Sequence, residues 1–89
     1  MDKKLINIEN DLNQIKFILE RLVSSKYKFI VDIKIYVVDD SGYFFVRVAY
    51  LVPEKHITLT NLNNIISETR LLYNMMGFDY DVFISLKVS

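Results

Sequence analysis

Residues 27 to 52, YKFIVDIKIYVVDDSGYFFVRVAYLV, carry an unbroken apolar series at every second position on either side of Asp39-Asp40-Ser41-Gly42. Before the turn the odd positions Tyr27, Phe29, Val31, Ile33, Ile35 and Val37 are apolar. After it the even positions Phe44, Val46, Val48, Tyr50 and Val52 are. A period of two is that of a β-strand with one face on a core, so the segment predicts an antiparallel hairpin from 27 to 52. The remaining side chains then form an open face whose membership is known residue by residue.

Parity limits how the strands pair, because core-facing odd positions must lie beside core-facing even ones. A loop of Asp40-Ser41, or of Asp39–Gly42, sets Tyr36 opposite Phe45, Ile30 opposite Leu51 and Lys34 opposite Arg47. A Ser41-Gly42 loop shifts the register by two residues. In the first register Lys34 and Arg47 form a like-charge pair, which predicts an anion, a carboxylate or a partner above them.

The flanking segments change period. Leu5, Ile8, Leu12, Ile15, Leu19 and Leu22 are spaced by three and four, with Ile18 and Val23 widening the stripe, and predict an amphipathic helix over 5–23. Phe17 and Ile6 lie off that stripe and suggest a second contact surface. The stripe also fits a coiled-coil seam. A second helix is expected from Leu59 to Met76, with Thr58 as N-cap, Ile57 and Leu62 as a hydrophobic staple, and Leu59, Leu62, Ile66, Thr69, Tyr73 and Met76 as its stripe. Gly77 stands where a left-handed C′ residue is wanted, with Phe78 packing back on Tyr73. Alternation resumes over 78–88 as a third strand.

The fold class is therefore α+β. One domain spanning residues 1–89 forms a two-layer αββαβ sandwich, a three-stranded sheet with both helices on one face, like a ferredoxin-like half lacking its first strand. The strands flanking the second helix should be parallel, either as neighbours or with the first strand between them.

Eleven basic and eleven acidic residues cancel, which argues against a broad attraction to nucleic acid or anionic membrane and leaves little repulsion between copies. Without cysteine there is no disulfide, thiolate metal site or thiol nucleophile. No apolar run approaches the ~20 residues of a membrane span, so a cytoplasmic location is expected. Ser24, Ser41 and Ser67 have no evident histidine partner, and neither a phosphate loop nor a His-Glu zinc spacing occurs. The expectation is a protein without catalytic activity or cofactor.

From Tyr27 to Val88 the order of pieces resembles the cytoplasmic C-terminal domain of cation diffusion facilitator transporters. The pieces are Ile33–Val38, the Ser41-Gly42 turn, Phe45–Val52, a helix opened by Thr58-Leu59, and Gly77-Phe78 leading into Val82–Val88. The resemblance implies a dimerising module, in that family a metal-responsive one. Locally, Ser41-Gly42-Tyr43-Phe44-Phe45-Val46-Arg47-Val48 looks like the RNP1 segment of RNA-recognition motifs, which implies base stacking on Tyr43 and Phe45 beside Arg47 and Lys34. Ser41, Phe44 and Val48 depart from that pattern, and the strand carrying RNP2 is missing.

The candidate site is the open face. Lys34, Tyr36, Tyr43, Phe45, Arg47 and Phe83 make an aromatic centre with a basic spot, suited to a protein partner or a second copy of the chain. Asp39, Asp40, Asp79 and Asp81 should gather at the turn end of the sheet, where four carboxylates suit a hard cation such as Ca²⁺ or Mg²⁺. His56 stands alone in a connector.

Overall fold

The computed structural model describes the backbone of residues 3–89 and the side chains from Ile8 onward. The elements run α1 (Lys3–Leu19), a π-helical turn (Glu20–Ser24), β1 (Asp32–Asp40), β2 (Tyr43–Val52), a 3-10 turn (Glu54–His56), α2 (Leu59–Met76) and β3 (Asp81–Val88). The αββαβ order holds. The sheet order is β1-β2-β3, with β1 antiparallel and β3 parallel to the central β2. Of the two arrangements the sequence allowed, the strands flanking α2 are direct neighbours.

The turn decides the register. Ser41 and Gly42 both have positive φ, 55° and 87°, as a two-residue type I′ hairpin loop requires. Glycine adopts this conformation freely, and the Asp39 carboxylate reinforces it by accepting the Gly42 N–H at 3.0 Å. Asp40 therefore pairs with Tyr43, Tyr36 with Arg47, and Lys34 with Ala49. The expected Lys34–Arg47 pair does not form.

Both helices cover the same face of the sheet. Ile15, Leu19 and Val23 from the first helical layer, Ile33, Val46, Val48, Tyr50 and Val52 from the sheet, and Ile65 and Tyr73 from α2 make one buried cluster. Burial at this level contributes ~1.5–3 kcal/mol for each large aliphatic side chain, which is what holds two layers together. One polar contact crosses the core, Tyr50 OH to Thr69 Oγ1 at 2.6 Å. Thr58 caps α2 by accepting the Asn61 N–H, and Gly77 ends it with φ 76°.

Several boundaries differ from expectation. β1 starts at Asp32, because the chain is still turning after the helix: Lys26 and Tyr27 N–H donate to the Val23 carbonyl, and Ile30 N–H to that of Tyr27. Within this turn Tyr27, Phe29 and Ile30 pack on the core while Val31 is exposed, so strand parity does not apply there. β3 likewise starts at Asp81; Phe78 precedes it and rests on Tyr73, as expected, with ring centroids 6.1 Å apart.

The first helix also changes phase near its end. A π-helical turn takes one residue more than an α-helical one, so after Leu19 it is Val23 that returns to the core and Leu22 that faces out. Leu59, expected on the α2 stripe, is exposed at the helix start. Phe17 is 58% exposed with the Arg21 guanidinium 5.4 Å from its ring centroid, whereas Leu5 and Ile6 lie outside the described side chains.

Candidate functional site on the open sheet face

Pairing arranges the uncovered face in rows across the three strands. The middle row is Tyr36, Arg47 and Phe83. Toward the hairpin turn follow Val38, Phe45 and Asp81, then Asp40 and Tyr43. Away from it follow Lys34, Ala49 and Ser85, then Asp32, Leu51 and Lys87. All six residues expected at the interaction surface lie on this face.

Its centre is aromatic. Phe45 meets Phe83 edge to face at 4.9 Å, Tyr43 lies 6.0 Å from Phe45, and the Arg47 guanidinium carbon is 5.9 Å from the Phe45 centroid. The two rings at the rim remain open, Tyr43 at 50% and Phe83 at 49% exposed. Lys34 and Arg47 stay close, as diagonal neighbours and not as an opposed pair. The basic spot therefore survives without the direct like-charge contact.

Two features of this face were not singled out from the sequence. Arg47 Nε and Ser85 Oγ are both buried without a hydrogen-bond partner. Buried polar atoms are nearly always paired, and an unpaired one costs about 1–3 kcal/mol. The side chains packed around them shut out solvent without supplying acceptors. Ala49 is 1% exposed although it points to the open side, a small residue at the floor of the central strand. Outward parity beside Phe83 and Arg47 is the signal that marks Ser85 and Ala49.

The four aspartates do lie at one end, but they do not chelate. Among the described residues no group of three or more His, Asp or Glu stands close enough to hold a metal ion. The Asp39 carboxylate is committed to the Gly42 N–H. Asp79 and Asp81 instead line a cleft of about 520 Å³ with Asp11, Tyr43, Phe44 and Tyr80, in which Tyr80 OH donates to Asp11 Oδ2 at 3.2 Å. His56 stacks on the Phe29 ring at 4.7 Å and 9°, a packing role.

Comparison of the chain with family models, curated proteins and solved structures returned no match. What the site does follows from its own residues. Among those described, no helix is long and apolar enough to cross a membrane.

Proposed function

We propose that this chain is a cytoplasmic, non-catalytic interaction module that self-associates and meets a protein partner through the open face of its sheet. The observation that carries this reading is the aromatic patch left uncovered on one sheet face, with Tyr36, Tyr43 and Phe83 exposed around the partly buried Phe45 and the Arg47 guanidinium near its ring. A packed partner would cover these rings, the arrangement of apolar anchors with an arginine that recurs at interface centres. The resemblance to a dimerising transporter domain agrees with it.

Tyr43 and Phe45 on the open side also suit RNA. Direct β2–β3 pairing, however, leaves no place between the parallel strands for a second aromatic strand, which a split βαβ unit provides. Static light scattering over a dilution series, run beside a titration with single-stranded RNA at low and high salt, separates the two. The module reading predicts a mass that rises with protein concentration and no RNA binding. A strict monomer that takes up RNA in a salt-dependent manner would replace it with the RNA reading.

A further inference from the structure

The charges of the open face are sorted along the strands. At the hairpin end stand Asp40 on β1 and Asp81 on β3, with Asp79 in the loop just before it; Arg47 on β2 holds the middle row, and toward the other end stand Lys34 on β1 and Lys87 on β3. Tyr36 and Phe83 share the row of Arg47, and Phe45 and Tyr43 lie toward the acidic end. Asp32, also at the far end, turns its carboxylate to the neighbouring Ile33 N–H at 2.8 Å. A face that is acidic at one end and basic at the other complements itself when one copy is reversed.

Resting on the reading of this face as an interaction surface, we propose that its occupant is a second copy of the chain. The two sheets pack face to face about a twofold axis that runs across the strands, between Phe45 and Arg47. That operation reverses strand direction and exchanges rows. Lys34 then meets Asp40 of the second copy, Arg47 meets the second Phe45, and Tyr43 comes to lie over the row of the second Ala49. Ser85 comes to lie opposite the loop carrying Asp79 of the second copy. A twofold axis along β2 would instead stack Arg47 on Arg47 at the centre, a like-charge contact that interfaces avoid. An acidic or a basic peptide complements only one end of the face. Equal numbers of acidic and basic residues leave no net repulsion between two copies.

Charge reversal tests the register. Among the described residues the Lys34 and Asp40 side chains are exposed and make no hydrogen bond or ion pair within the chain. Lys34→Asp and Asp40→Lys each turn a favourable contact into a repulsive one, and an isologous interface repeats the change twice. Each variant should dimerise roughly tenfold or more weakly than the parent by light scattering. Mixing the two, or combining both substitutions in one chain, restores opposite charges at both contacts and should restore association. Melting curves check that each variant is folded, and Lys34→Glu or Asp40→Arg reverses the same charge where one is not. Weakening without rescue would overturn the proposed register. Singles as tight as the parent would overturn it too, while leaving the open face to another occupant. A strictly monomeric parent would remove the proposal and the self-association reading together.

Discussion

Phe45→Ser should weaken self-association on the order of thirtyfold or more, the scale of losing an aromatic anchor worth about 2 kcal/mol at an interface centre. Phe45 touches both Tyr43 and Phe83 and carries the Arg47 guanidinium near its ring, so its loss disassembles the patch and not one contact. The fold has little stake in it. Phe45 points away from the helices, and Val46 beside it is the residue that enters the core. The expected result is a lower associated mass at every concentration in light scattering, with cooperative melting retained. An unchanged mass would mean that association uses another surface.

Alkaline pH should destabilise the fold through Tyr50. Burial pushes this phenol up to about 12 from its ordinary 10.0, partly offset by the hydrogen bond with Thr69. The folded pKa is raised above the unfolded one. The stabilisation is therefore complete below about pH 10 and is lost as pH climbs through about 12. A shift of this size corresponds to roughly 2–3 kcal/mol. Tyr50→Phe should cost about 1–3 kcal/mol near neutrality, because the buried Thr69 hydroxyl loses its partner. The variant should then lose less than the parent between pH 10 and 12, so that their stabilities converge in urea denaturation. Tyr73, also pushed up to about 12 chiefly by burial, remains in the variant and keeps some alkaline loss in place. Parallel curves would show that the Tyr50 phenol ionises without cost.

The layer architecture was legible because period-two and period-three-to-four patterns switch cleanly at Ser24 and at Pro53. Caps at Thr58 and Gly77 were legible because each residue type has one strong local use there. The hairpin register was only half legible. Asp39-Asp40-Ser41-Gly42 admits two parity-allowed alignments, and the choice rests on a left-handed Ser41 that no side-chain pattern announces. The Lys34–Arg47 opposition belonged to the alternative that does not form.

Strand starts failed for a related reason. Tyr27 and Phe29 reach the core from a turn and Phe78 from a loop, so apolar alternation ran on past the hydrogen-bonded ladder. The π-helical turn left no mark except Val23 beside Leu22, two apolar residues between which only backbone geometry decides. For the site, parity placed all six open-face residues correctly. The aspartate cluster was an argument from proximity alone, and Asp39 had a nearer use in the turn. The unpartnered Arg47 Nε and Ser85 Oγ depend on packing detail that follows from three strands at once.

Hydroxyl-radical footprinting of the unsubstituted protein at low and high concentration tests most directly whether the open sheet face is the one that becomes covered. Tyr36, Tyr43, Phe45 and Phe83 should grow less reactive as concentration rises, while Phe17 and Met75, exposed on the helical layer, stay as reactive as before. Protection appearing at Phe17 or Met75 with the sheet aromatics unchanged, or protection nowhere, would contradict the account.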